Sequence, residues 1–426
     1  MSDPNPFKYT RQITCLVPAR EKKTASRQLE SHHWLKRRGL SILLLVILLG
    51  GCASPPEREQ PLPAELAPLA EIPGIPKARQ WGEQPPEGLQ AWMTLPESQL
   101  RSGYGPIMDR PHSYLVISGG GGDGAFGAGL LVGWSARGDR PEFQIVSGIS
   151  TGALIAPFAF LGPAYDSVLQ QAYTQYTTAD LSERRSLIDI IRGDAAADVA
   201  GLKRVLEQYL NDEVIEEIAA EYRKGRSLYI GTTNIDAARP VIWNITRMAA
   251  SGAPNAPAVI RSVILASAAI PGAFPPVLID VEANGERYDE MHVDGGVTAQ
   301  LFLGYEGMDW RRIAKRLNVK GRPTVYAIRN AKLHPSWQSV PRRLPAIASR
   351  SVSTLIKSQG LGDLTKLYVV ASENGFDYQV AYIPDSFELE SKEAFDRDYM
   401  RELFQLGYEL SREGRVWATA LEESEN

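Results

Sequence analysis

Two strand, glycine-turn and helix runs, one directly after the other, constrain this chain more than any other feature. Tyr114-Leu115-Val116-Ile117 reads as a buried strand and runs straight into Gly119-Gly120-Gly121-Gly122-Asp123-Gly124. Ala125 to Trp134 follows, apolar and small enough for a helix packed closely on a sheet. The pattern then repeats: the strand candidate Phe143-Gln144-Ile145-Val146 leads to Gly148-Ile149-Ser150-Thr151-Gly152 and a second apolar helical stretch. Such turns leave backbone N–H groups free at a helix amino terminus, which is an anion-binding geometry. The expected architecture is α/β, in three layers, with a mainly parallel central sheet and the active site at the carboxyl ends of its strands.

Gly119 to Gly124 fits G-x-G-x-x-G, so a dinucleotide-binding unit is the first competitor. That unit needs an acidic residue at the end of the second strand, where this chain has Ser147-Gly148. What stands there is G-x-S-x-G between strand and helix, the setting of a nucleophile elbow. The glycines permit a tight turn that lifts the Ser150 hydroxyl out of the sheet beside a helix amino terminus, whose positive end favours developing alkoxide. G-x-S-x-G alone is weak in a chain with 37 glycines. The upstream loop strengthens it, because Gly119, Gly120, Gly121 and Gly124 offer backbone donors for an oxyanion, and losing one such donor costs about 100-fold to 1000-fold in rate. No nicotinamide, flavin or other cofactor is expected.

A serine nucleophile needs a base. Of the five histidines, His32 and His33 lie far upstream, and His112, His292 and His334 carry no accompanying signature, so surface or strand-edge roles are expected for them. None has the His-x-x-x-His spacing of a helical zinc site, and no metal is expected. The better candidate is Asp294, at the end of the apparent strand Arg287 to Val293 and followed by Gly295-Gly296. Asp-Gly by itself is only a turn signal.

Ser118-Gly119-Gly120-Gly121-Gly122-Asp123-Gly124-Ala125, then Gly148-Ile149-Ser150-Thr151-Gly152, then Asp294-Gly295-Gly296, in that order, resemble the patatin-like phospholipases. Ala266 to Val277 is similar to the apolar segment that precedes the second catalytic residue in that family. The resemblance implies a Ser-Asp dyad: Ser150 attacks the acyl carbonyl, Asp294 takes and returns the proton, and amides around Gly120 and Gly121 hold the oxyanion through an acyl-enzyme. Asp123 stands where many bacterial relatives carry Arg, which bears on any preference for anionic head groups. A partly desolvated carboxylate can act as base directly, since burial raises its pKa.

Near the amino terminus, Lys36-Arg37-Arg38 precede an apolar run, Leu40 to Leu49, and then Gly50-Gly51-Cys52-Ala53. The run is too short to span a bilayer, which takes roughly 20 residues, and has the layout of a signal peptide. Leu49-Gly50-Gly51-Cys52 resembles the lipobox of bacterial lipoproteins, which implies acylation of Cys52, anchoring to a membrane and, with Ala53, an outer-membrane position facing the periplasm. The expected organisation is a signal region over 1–52, a proline-rich tether over 53–95 and an acyl hydrolase domain over 96–426.

The two cysteines, Cys15 and Cys52, leave no disulfide framework for that domain. With 46 basic against 50 acidic residues, there is no electrostatic case for nucleic acid as partner. The expected partners are a lipid or ester substrate and a membrane. The alternatives are a catalytically silent lipid-binding or scaffold lipoprotein with the same fold, and a nucleotide-dependent oxidoreductase.

Overall fold

A computed structural model describes residues 58, 60–186, 194–305 and 307–420. The chain divides into units 1–55 and 56–426; the signal region and Cys52 fall outside the described residues. The strands are β1 (Arg79–Trp81), β2 (Ser113–Ile117), β3 (Ile145–Ile149), β4 (Ser227–Asn234), β5 (Arg239–Asn244), β6 (Val277–Ala283), β7 (Glu286–Asp294), β8 (Thr324–Arg329) and β9 (Asp377–Tyr382). They form one sheet in the order β1-β5-β4-β3-β2-β8-β9, with β7 paired to β4 and β6 to β7. The run β4-β3-β2-β8-β9 is parallel throughout. The remaining pairs, at the β1 edge and around β7, are antiparallel.

Alternation along the strands divides the interior into two cores, as the period of two requires. Leu115 and Ile117 of β2 face the larger one, together with helices α1 (Gly124–Arg137), α2 (Thr151–Leu161) and α3 (Ala256–Ser267). Tyr114 and Val116 face the other, which is closed by the inner half of α4 (Leu344–Asn374). Helix, sheet and helix therefore make three layers. The last helix, α5 (Arg397–Arg412), packs against α1 at unusually short range: a methyl on Gly129 or Gly133 would strike the Phe404 or Tyr408 carbonyl.

The described part of the expected tether is docked, which corrects the sequence reading. Pro61 bridges to Asp289, Glu71 and Glu282 exchange backbone bonds of 3.0 and 2.8 Å, and β1 adds an edge strand to β5. Ile72, Ile75 and Ala78 are buried in the larger core. Prolines are tolerated here because an edge strand and a short 3-10 turn leave many N–H groups without ladder partners, so proline density does not imply a free spacer.

Candidate active site

β3 ends at Ile149, α2 begins at Thr151, and the whole change of direction falls on Ser150 (φ 57°, ψ −126°). That conformation costs a non-glycine residue about 1–3 kcal/mol and persists only where its surroundings enforce it. Here they do: a side chain on Gly148 would collide with the Gly152 carbonyl, and one on Gly152 with that of Ile117. The Ser150 N–H donates to Ser267 Oγ at 3.0 Å, and that hydroxyl donates to the Gly231 carbonyl at 2.6 Å.

Asp294 closes β7 opposite Thr232 of β4. Its carboxylate accepts the Gly296 N–H at 2.7 Å, and the Ser150 side chain lies close enough to act on its charge. Ser150 and Asp294 are both buried. Burial pushes the Asp294 carboxyl up to about 6, against the opposing effect of Ser150 and the Gly296 N–H. A carboxylate so placed accepts a proton more readily than a solvated one while remaining mostly ionised at neutral pH.

The glycine loop lies against the serine: a side-chain carbon on Gly119 would stand 3.0 Å from Ser150 Cβ and 3.5 Å from its Oγ. Among the described residues the Gly119 and Gly120 amides have no acceptor, while Ser118 N–H is bound to the Ile328 carbonyl. Gly121 (φ 58°) opens a short 3-10 turn. Gly124 does not belong with the donors expected from the sequence. Its N–H is already engaged by the Gly121 and Gly122 carbonyls, and it must be glycine because Thr151 and Tyr173 occupy the place of a side chain. Asp123 receives the Tyr399 hydroxyl at 2.7 Å, so it ties the loop to α5; burial raises its carboxyl above the usual range.

Three residues missed in the sequence hold this arrangement. Asn330, fully buried just past β8, donates its backbone N–H to Ser118 Oγ at 2.8 Å and its side-chain amide to the Ser118 carbonyl at 2.9 Å, and accepts Gly127 N–H at 3.0 Å. Gln300 donates to the Gly296 carbonyl at 3.0 Å, and its carbonyl oxygen is 3.0 Å from the side-chain position of Gly119. Ser267 holds the elbow as described. Each is a single polar residue in an apolar or loop context; the one available signal was a buried strand ending in the polar pair Arg329-Asn330.

The three described histidines are engaged with groups other than Ser150. His292 is buried between Thr232 Oγ1 at 2.9 Å and Glu290 at 3.2 Å, and Glu290 pairs with Arg79 of β1 at 2.5 Å. His112 is buried between Tyr114 and the Ile107 carbonyl; the burial of His112 and His292 corrects the surface or strand-edge reading for both, and His334, partly exposed, pairs with Asp385. Of the apolar residues flanking the elbow, Ile149 lines a cavity of about 190 Å³ beside the site, while Ile155, Phe158 and Phe160 are core. Among the described residues, no group of three or more His, Cys, Asp or Glu side chains is arranged to hold a metal ion.

The family model described as Patatin-like phospholipase matches residues 115–304, from β2 to ten residues past Asp294. Among solved structures, VipD from Legionella pneumophila is similar at 10% identity with a TM-score of 0.35; the match covers 71% of this chain and 66% of VipD. The chain thus spans 66% of the length of that structure. No curated protein matches the chain.

Proposed function

Residues 115–304 belong to the patatin-like phospholipase family, and from that premise we propose that the chain is a serine-dependent acyl hydrolase of lipid esters. Ser150 is the nucleophile and Asp294 the base. The placing of the two side chains beside each other, in a buried setting that raises the carboxyl to about 6, is the observation that carries this reading. Ser150 Oγ attacks the ester carbonyl and passes its proton to Asp294. The oxyanion that forms is met by the free amides of Gly119 and Gly120, a fixed donor pair of the kind that stabilises developing charge. Collapse expels the alcohol, which takes the proton back from Asp294. Water, deprotonated by the same carboxylate, then frees the acid from the acyl-enzyme. The signal region and Cys52 add an expected lipid anchor and a position on the outer membrane facing the periplasm.

The test is hydrolysis of a short-chain p-nitrophenyl ester and of a phospholipid by the full chain, with fluorophosphonate labelling alongside. Labelling at Ser150, with turnover lost in Ser150→Ala and in folded Asp294→Asn, is expected. Folded wild type that takes no label, or turnover indifferent to Ser150, would leave a silent lipid-binding scaffold as the better account.

A further inference from the structure

Helix α4 has two unlike halves. From Gly360 onward it is packed: Gly360 abuts the Arg329 guanidinium and Gln300, the Asp363 carboxylate accepts the Gln300 N–H at 2.7 Å, and Leu364, Leu367 and Ala371 enter the smaller core. The outer half, residues 344–358, about 22 Å at 1.5 Å per residue, has no buried residue. Leu344 is 81% exposed and Leu355 69%, with Ile347, Val352 and Ile356 also open to solvent. These positions gather on one side of the helix. The opposite side carries Arg350, half-buried, which donates to the Ser336 carbonyl at 2.6 Å and to Gln338 at 3.2 Å. Those bonds fix the preceding loop, where Trp337 is 98% exposed. A helix on a globular surface normally buries its apolar side; here no residue of 344–358 is buried, and the apolar positions stand in solvent.

The same stretch is uniformly basic. From Ala331 to Gly362 there is no Asp or Glu, but there are Lys332, Arg342, Arg343, Arg350 and Lys357. Asp385, the acidic group that reaches the loop, is paired with His334. The loop leaves the carboxyl end of β8 through Asn330, so the patch rises from the end of the sheet that holds Ser150. Lys357 and Lys332 come close enough to act on the charge of Asp123 in the glycine loop.

We infer that Trp337 and the outer half of α4 form a surface that beds on an anionic lipid layer, with the Ser150 site turned toward it. Exposed Trp and an apolar helix face enter the headgroup boundary, and the basic residues are drawn to negative lipid. Among the described residues no helix is long and apolar enough to cross a membrane, so this one lies on the surface. A second copy of the chain fits less well, since two such faces would oppose like charges. The inference relies on the acyl hydrolase reading for the meaning of the orientation, not for the binding itself.

The test uses the full chain carrying Cys15→Ser, Cys52→Ser and Ser150→Ala, with Leu355→Cys labelled by an environment-sensitive fluorophore. On phosphatidylcholine vesicles containing phosphatidylglycerol, the emission shifts to the blue and brightens, whereas a label at Glu213→Cys does not move. Adding Arg342→Glu and Arg343→Glu raises the lipid concentration needed by about thirtyfold or more. A 355 label that stays in water on these vesicles overturns the inference. So does an equal response to phosphatidylcholine alone, or a shift with protein concentration in the absence of lipid, as pairing of two copies would give. Because Ser150 is replaced throughout, this result and the catalytic reading fail separately.

Discussion

The two ends of the parallel strands differ in a way that volume alone would misjudge. At the amino ends lies a cavity of about 830 Å³, reached by Tyr104, His112, Tyr114, Arg226 and Tyr229; a smaller one of about 190 Å³ is lined by Ile149, Thr232 and Gly295, next to the Ser150 and Asp294 positions. The residues proposed for the chemistry line neither of the two. At the larger cavity His112 and Arg226 are committed to structure: His112 to Tyr114 and Ile107, and Arg226 to Glu221 and the Phe143 and Phe160 carbonyls. At the carboxyl ends two strands turn into helices, and the turns leave the Gly119 and Gly120 amides without acceptors beside a strained serine. Parallel βα connections start their helices at that end and only there, so uncommitted donors and positive helix ends collect on one side of the sheet.

The contrast breaks most simply at Ser150. Ser150→Ala is expected to lower kcat by on the order of 10⁴-fold or more, measured by ester hydrolysis at saturating substrate. Asp294→Asn removes the base while keeping the shape, with an expected loss of about 10³-fold, at the middle of the range for a positioned general base. Asn330→Ala leaves the Ser118 carbonyl and the Gly127 amide unpartnered in the interior. It should destabilise by about 2–3 kcal/mol and lower kcat with little change in KM, read from thermal melts and steady-state kinetics. The amino-end cavity supplies the smallest effect: Ser102→Trp, which intrudes on that cavity from its exposed rim, should change kcat by less than about twofold, as a surface change away from the chemistry does. A large loss there would mean that substrate uses the wrong end of the sheet.

Asp294 also links activity to stability. Its folded carboxyl holds a proton up to about pH 6, whereas the unfolded one releases it near 3.8. Between those values the folded state binds more protons, so the group's contribution to stability is complete below about 3.8 and is lost as pH rises through 6. Above that range the ionised Asp294 burdens the fold by up to on the order of 3 kcal/mol. Asp294→Asn should therefore raise the melting temperature relative to wild type at pH 8 and not at pH 4, in parallel melts.

How much of this was legible in the sequence follows from how local each feature is. The elbow and the glycine loop are written into short segments, because the backbone collisions that require Gly148 and Gly152 involve near neighbours or the adjacent strand. Asp294 was legible only in combination with them. Asn330 and Ser267 hydrogen-bond across more than a hundred positions of sequence, and Gln300 approaches Gly119 from as far away, through contacts that exist only once the sheet is assembled; an isolated Asn or Ser carries no pattern. Gly124 looked like one more donor because spacing does not say which amides a turn consumes. The proline-rich stretch misled for a related reason: Ile72, Ile75 and Ala78 were the residues that mattered, and three apolar side chains spaced by three among prolines are too few to signal a helix and off the period of a strand.

The most direct test of a Ser150–Asp294 pair is the pH dependence of the rate at which a fluorophosphonate inactivates the full chain, compared between wild type, Asp294→Asn and His292→Gln. The expected wild-type rate falls as pH drops through about 6, following protonation of Asp294. That inflection should persist in His292→Gln and vanish, with a far slower rate, in Asp294→Asn. An inflection that survives in Asp294→Asn, or one that disappears with His292, would contradict the account and assign the base elsewhere.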